Sequence, residues 1–335
     1  MTLDLNPPSP VSPAVDFDAD GKQHGALRLP WSRDDSAWGA IHIPICVVRN
    51  GDGPTALFFG GNHGDEYEGP IALYDLARLL KPEDITGRVI IVPALNYPAF
   101  RAAKRTSPID GGNMNRIFPG RPDGGITEKI ADFVTRGLLP LADVVLDIHS
   151  GGKTLDFVPF AAAHFLADKE QQARCMAAAE AFGAPFAVRM REIDAAGMLD
   201  TSAEALGKTF VTTELAGGGT ATPETAAIAR HGVRNLLQHA GILDGAPERQ
   251  ETRWLTMEEA GTFAASPADG LVDYALALGD EVRRGEPVAR IIPHGSTGAA
   301  PVTVTAPGDG LLIGRHFPGL VQTGDCVAVV GSLDD

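Results

Sequence analysis

The sequence predicts an α/β fold, a mostly parallel sheet flanked by helices, with a small all-β domain at its C-terminal end. Three observations carry this. Between about residue 25 and residue 250, apolar β-rich runs alternate with helical patterns. Past residue 250 the helical patterning fades and a segment repeats about forty residues further on. The residues best suited to chemistry follow directly on the ends of apolar runs, where open α/β sheets bind their ligands.

Taken in order, residues 1–24 are rich in proline and aspartate and are expected to form a loosely ordered N-terminal arm. Ile41 to Val48 and Thr55 to Gly60 read as strands. Glu68 to Leu80 follows as a helix, with Ile71, Tyr74, Ala77 and Leu80 spaced by three and Pro82 beyond its end. Arg88 to Leu95 is the next strand. Thr127 to Leu139 is a helix closed by Pro140, and Val144 to Ile148 is a short buried strand. Asp168 is placed as the N-cap of a helix running to Phe182, with Gln171 positioned for a capping box and Gly183 for the stop. Thr209 to Thr213 is a strand. Thr222-Pro223 opens a helix in cap-then-proline order and Gly241 closes it, with Ala229, Val233, Leu236, Leu237 and Ala240 along one face.

Beyond this α/β unit, residues 25–250, a boundary is expected near residues 245 to 258. Pro267-Ala268-Asp269-Gly270-Leu271 returns as Pro307-Gly308-Asp309-Gly310-Leu311. Gly285-Glu286-Pro287-Val288 returns as Gly324-Asp325-Cys326-Val327. A turn signal followed by short strands, twice over, predicts a two-fold β-sandwich or flattened barrel across residues 255–335.

With 28 basic and 43 acidic residues the formal net charge is −15. That argues against nucleic acid or an anionic membrane as partner, since both reward a basic surface. No apolar run approaches the roughly 18 residues of a membrane span. The first ten residues have neither the basic nor the apolar region of a signal peptide. Cys46, Cys175 and Cys326 are far apart and form no C-x-x-C pair, as expected of thiols in a reducing compartment. The expectation is a cytoplasmic protein acting on a small molecule, with self-association into a homo-oligomer left open.

The chemistry concentrates at four places. His63 and Glu66 lie three apart on a glycine-rich turn after the strand at 55–60, and His149 ends the run at 144–148. Two histidines and a glutamate are the ligand set of a catalytic zinc site that keeps one position open. An isolated H-x-x-E is commonly a surface pair. Here the preceding strand, the turn and the distant D-x-H favour a metal, one Zn²⁺ per chain. Such an ion lowers the pKa of a bound water and polarises a carbonyl, and a carboxylate outside the ligand set must then move the proton. Glu214, at the end of the strand at 209–213, is the candidate base. Arg116 offers a fork for a substrate carboxylate and Asn115 adds donors. Arg105 is a candidate for stabilising an oxyanion. Asp147 shares a strand face with His149 and is suited to orienting that ring. Read alone, Glu214 would be a solvated glutamate and Arg116 a salt-bridge partner; their positions after strands argue for more.

His231 and His239 are eight residues apart on one helix, too far to grip one ion, and are expected to be solvated. His24, His42, His164, His294 and His316 show no ligand-like neighbour in the sequence. Gly207-Lys208-Thr209 mimics the end of a P-loop but precedes a strand, and neither G-x-S-x-G nor H-E-x-x-H occurs.

Gly61-Asn62-His63-Gly64-Asp65-Glu66, Asn113-Met114-Asn115-Arg116, Asp147-Ile148-His149 and Thr213-Glu214, in that order, resemble the succinylglutamate desuccinylase/aspartoacylase family, relatives of the zinc carboxypeptidases. The resemblance covers nearly the whole chain. It implies a zinc-dependent amidohydrolase that removes an acyl group from an N-acyl amino acid. His63, Glu66 and His149 would be the ligands, Glu214 the base, and Asn115 with Arg116 the carboxylate clamp. The string His63-Gly64-Asp65-Glu66-Tyr67-Glu68-Gly69 resembles the branch that deacetylates N2-acetyl-L-2,4-diaminobutanoate in ectoine breakdown. That substrate carries a side-chain ammonium, which Glu68 or Asp110 would suit. Alternatives are another N-acyl amino acid, a metallocarboxypeptidase acting on peptides, or a non-catalytic binding protein, although no ligand or base is missing. The C-terminal repeat resembles a biotinyl or lipoyl carrier domain, but Lys208 is the last lysine, so this domain is expected instead to shape the cleft or mediate assembly.

Overall fold

Four mutually parallel strands form the centre of the molecule, described by a computed structural model over residues 5–191, 197–248, 251–258 and 261–334. Thr55–Gly60 pairs with Gly87–Val92 on one side and Val144–His149 on the other, and Val144–His149 pairs with Thr209–Glu214. Every residue of Thr55–Gly60 and of Val144–His149 is buried. Strands covered on both faces must be apolar nearly throughout, which is why the sequence displays them so plainly. Helices Glu68–Leu79, Lys169–Phe182 and Pro223–His239 cover one face, packing with Phe58 and Leu146. Phe59, Leu57 and Phe210 pack on the other face with Phe133 and Leu199.

Several local expectations are corrected. In Glu68–Leu79, beyond the first turn, the buried side chains are Ala72, Leu73 and Ala77, while Tyr74 is 42% exposed. A strict spacing of three lags the helical turn by about 60° per step, so the row from Ile71 to Leu80 winds around the helix rather than along it. The helix predicted from Thr127 to Leu139 is regular only over Ile126–Phe133. It then passes through a wider turn at Val134–Leu138 and a tight turn at Leu139–Leu141 that takes Pro140 near its start. Asp168 does cap Lys169–Phe182, accepting from Glu170 N and Gln171 N, and Gly183 ends the helix at φ 79°. Gln171 forms no capping box. Its amide donates instead to the carbonyls of Glu204 and Lys208.

The N-terminal segment is not loosely ordered over its described part. Gly21–Pro30 pairs along its whole length with Ala40–Asn50, Ser12–Pro13 adds to its edge, and Val11 and Phe17 are buried. Residues 1–4 of the expected arm lie outside the described residues.

The C-terminal β-unit is a sandwich, and its repeat has a simple structural meaning. Gly270–Tyr274 pairs antiparallel with Pro287–Ile292 in one sheet, and Gly310–His316 pairs antiparallel with Cys326–Leu333 in the other. Each copy thus supplies one hairpin-like pair, the first to one layer and the second to the other, with Val288, Val304, Leu312 and Val327 between them. One of the two layers is continuous with the central sheet. Arg253–Met257 joins Phe186–Met190 to Cys326–Leu333, and Leu155–Phe157 pairs with Gly310–His316. Hydrogen-bonded strands therefore cross the boundary expected near residues 245 to 258, of which residues 249 and 250 lie outside the described residues.

Candidate active site

His63 and Glu66 occupy the turn that leaves Thr55–Gly60. Gly61 opens it at φ +63°, a left-handed conformation that costs glycine nothing. Gly64 is required by close approach: a Cβ there would lie 2.0 Å from the carbonyl carbon of Ala99. That contact lets Gly64 N donate to Lys104 O at 3.1 Å and brings the next residue, Arg105, over the turn. Arg105 Nη1 sits 3.3 Å from His63 Nδ1 and 3.6 Å from Glu66 Oε1. His149 is the last residue of its strand, and its register partner on the neighbouring parallel strand is Glu214.

Glu66 is clamped between the two rings. Its Oε1 is 2.8 Å from His63 Nδ1 and its Oε2 is 2.8 Å from His149 Nδ1. The other nitrogen of each ring already has an acceptor: Asn113 Oδ1 at 3.1 Å from His63 Nε2, and Asp147 Oδ2 at 2.9 Å from His149 Nε2. An acceptor at Nε2 draws the ring proton there and leaves the Nδ1 lone pair facing Glu66. With both rings neutral, two lone pairs and a carboxylate would converge in a buried space, an arrangement relieved by positive charge among them, a proton on His149 or a metal ion in its place. The ligating atoms of His63, Glu66 and His149 all fall within 4.8 Å of one another, and no other such cluster is found among the described residues. Two nitrogens and a carboxylate suit a divalent ion that keeps an open position.

The charges around this point are strongly coupled. Burial opposes ionisation of Glu66, yet the two imidazoles hold its carboxyl below the usual range. Burial pushes His63 down. It opposes charge on His149 too, but Asp147 and Glu66 outweigh it and hold that ring well above its ordinary value. Glu214 is pushed up to about 8 by burial and then by Glu66. Its Oε2 is sealed from solvent without a hydrogen-bond partner among the described residues.

A cleft of about 280 Å³ opens from this cluster. His63, Arg105, Asn115, Arg116, His149 and Glu214 line its polar end. Phe157, Phe160, Met190, Met257, Phe263 and Val329 line the apolar end, the last two from the β-sandwich. Asn115 Oδ1 accepts from Leu199 N at 3.0 Å, and Arg116 Nη1 donates to Asn115 O at 2.6 Å. All the residues singled out for chemistry thus converge, with Asp147 directly behind His149.

Two expectations are corrected. Neither Glu68 nor Asp110 lines the cleft. Glu68 is buried, pushed up to about 7 by that burial, and accepts from Thr225 Oγ1 at 3.2 Å. Asp110 accepts from Thr127 N and Oγ1, both at 2.7 Å, at the start of a helix. His164 does have a carboxylate neighbour, Glu204 Oε1 at 2.9 Å from its Nδ1. Sequence reasoning also left Asn62, Asn113 and Asp200 without roles. Asn62 Nδ2 donates to Asp147 Oδ2 at 2.7 Å, Asn113 holds His63, and Asp200 lines the cleft.

A His–Glu–His cluster at the carboxyl edge of a mainly parallel sheet, roofed by a β-sandwich, defines an α/β protein with a candidate catalytic metal centre. The chain belongs to the succinylglutamate desuccinylase/aspartoacylase family, whose catalytic-domain model matches residues 52–240. Its chemistry is therefore hydrolysis of amide bonds. The chain is 54% identical over 329 residues to an N-alpha-acetyl-L-2,4-diaminobutyric acid deacetylase from Halomonas elongata, covering 97% of this chain and 96% of that one. A product-bound structure of the ectoine utilization protein EutE (DoeB) from Ruegeria pomeroyi superposes with a TM-score of 0.95. It is 58% identical and covers 97% of this chain and 99% of that one. A succinylglutamate desuccinylase/aspartoacylase structure from Rhodobacter sphaeroides gives a TM-score of 0.94 at 41% identity, covering 98% and 100% respectively.

Proposed function

We propose that this protein deacetylates Nα-acetyl-L-2,4-diaminobutyric acid to acetate and L-2,4-diaminobutyric acid, using one Zn²⁺ held by His63 Nδ1, Glu66 and His149 Nδ1. The observation that carries the metal reading is the carboxylate of Glu66, caught at 2.8 Å between two ring nitrogens whose opposite sides are already occupied. The substrate is inferred from the similarity to the Halomonas elongata deacetylase. Zinc bound there supplies Lewis acidity at the scissile carbonyl and lowers the pKa of the attacking water.

The chain's own residues do the rest. Glu214 accepts one proton of the attacking water and returns it to the departing nitrogen as the C–N bond breaks; it then takes the remaining proton of the new carboxyl group and passes it to the freed amine, so that acetate and an ammonium product separate. Its burial keeps the carboxylate basic enough for that exchange. Arg105 donates to the oxygen on which charge develops. Arg116 and the amide of Asn115 hold the substrate carboxylate, which fixes the chirality of the amino acid accepted. Asp147, itself held by Asn62, keeps the Nε2 proton on His149 and its Nδ1 directed at the metal position. The walls from Phe263 and Val329 narrow the cleft, which favours a single N-acyl amino acid over a peptide. We assign the protein to the cytoplasm, in keeping with three unpaired cysteines.

The test is acetate release from Nα-acetyl-L-2,4-diaminobutyrate before and after complete removal of metal by a chelator. Activity should vanish and return on stoichiometric Zn²⁺. Undiminished turnover by metal-free protein would overturn the reading.

A further inference from the structure

One buried acid in the cleft has no part in the chemistry above. Asp200 is only 7% exposed and lines the same cleft as Arg116 and Asn115. Its Oδ1 accepts from both the amide and the hydroxyl of Thr201, the latter at 3.0 Å. Its Oδ2 has no hydrogen-bond partner among the described residues. That oxygen is therefore open to the cleft on a side chain otherwise buried, which leaves it free to accept from a cationic ligand group. The nearby wall is also rigidly tied to the expected carboxylate clamp. Leu199 N donates to Asn115 Oδ1 at 3.0 Å, Phe118 N donates to Gly197 O at 3.0 Å, and Arg116 Nη1 contacts Met198 Sδ at 3.2 Å.

We infer that Asp200 is the specificity residue for the substrate side chain, binding an ammonium group carried on a short aliphatic arm of the N-acyl amino acid. The inference rests on the deacylase reading and deepens it. An amino acid held by its carboxylate at Arg116 and Asn115 must project its side chain from the same Cα along the adjoining wall, where Asp200 stands. Arg105 and Arg116 make the rest of the polar end cationic, so an ammonium is welcome only beside this carboxylate. The one other acid lining the cleft among the described residues, Glu214, is committed to proton transfer, and the acids behind its wall are engaged as well, Glu66 with the two metal-site rings and Glu204 with His164.

The test compares Nα-acetyl-L-2,4-diaminobutyrate with Nα-acetyl-L-norvaline, in which a methyl replaces the ammonium. Wild-type protein should prefer the first by about 10²–10³-fold in kcat/KM, the scale of losing one partner of a largely buried charge pair. Asp200→Asn should lose about that factor on the diaminobutyrate substrate, keep its acetylnorvaline activity within about threefold, and retain metal. Equal loss on both substrates, or no discrimination by the wild type, overturns the assignment. Binding of the products to wild-type protein, L-2,4-diaminobutyrate against L-norvaline, needs neither a variant nor turnover; equal affinities again overturn it. Should wild-type protein hydrolyse neither acetyl compound, the deacylase reading falls, and the product comparison still decides the subsite.

Discussion

The two ends of the cleft are built by different means. Strand termini deliver the polar end: His149 and Glu214 are register partners on adjacent parallel strands, and His63 and Glu66 leave the strand beside them. Their positions follow from backbone hydrogen bonding, and each ring is then locked by a partner at Nε2. The apolar end is assembled from side chains of separate units, with Phe157 and Phe160 from the α/β unit and Phe263 and Val329 from the sandwich. No hydrogen bond fixes where those rings sit. Catalytic geometry here is a property of the sheet, whereas substrate fit is a property of packing between units. Substitutions of the strand-end groups at the first end should therefore act on kcat, and those of the apolar wall at the second on KM and on the size of the acyl group accepted.

The largest effect is expected from Glu214→Gln. The amide keeps shape and burial but cannot accept the water proton, so kcat should fall by about 10²–10⁴. Glu214 is no ligand in the proposed site, so metal content measured by elemental analysis should be unchanged and KM should move little. Loss of metal together with activity would place Glu214 among the ligands and break the division between the base and the metal set.

Metal binding should release protons at neutral pH. In the metal-free protein Glu66 is held below the usual carboxylate range and is already ionised, so it contributes nothing. His149 is held well above its ordinary value by Asp147 and Glu66, which favours its protonated form. Glu214, pushed up to about 8, is also mostly protonated at pH 7. A cation needs the Nδ1 lone pair of His149 and lowers the pKa of the Glu214 carboxyl nearby, so both protons leave. Zinc affinity should rise with pH by up to about 10²-fold per unit below pH 8 and less steeply once Glu214 is ionised in the free protein. Calorimetric titration at pH 7 in two buffers of different ionisation enthalpy counts the protons; a count of zero would sink this account.

The same division explains what could be read from the sequence. The strands Thr55–Gly60 and Val144–His149 announce themselves as apolar runs because both faces are buried, and a ligand residue at the end of such a run is conspicuous. Phe160–His164 is not legible as a strand because Phe-Ala-Ala-Ala-His has no β-branched residue, and only its place between two strands makes it one. Gly21–Pro30 went unread because it is a second-to-edge strand with a polar outer face. Asp110 and Glu68 looked like cleft acids because motif distance along the chain is no guide to direction; both turn toward helix starts. Asp200 carried no local signal at all. It reaches the cleft because Leu199 N finds Asn115, 84 residues away, a pairing visible only in three dimensions.

The smallest effect is expected where the sandwich meets the cleft. Phe263 begins a short strand that pairs with Cys326–Leu333, with Phe263 opposite Val329, so the two side chains form a wall supplied wholly by the C-terminal unit. Phe263 is 42% exposed overall, so its removal costs little stability and opens the cleft rather than collapsing it. Phe263→Ala should leave kcat for the acetyl substrate within about twofold and raise KM by about three- to tenfold, the worth of a few methylene contacts in an apolar pocket. The extra room should also improve kcat/KM for an N-butanoyl substrate relative to the N-acetyl one. A fall in kcat of the size expected for Glu214→Gln would show that the sandwich positions the reacting groups, and the separation between the two ends of the cleft would not hold.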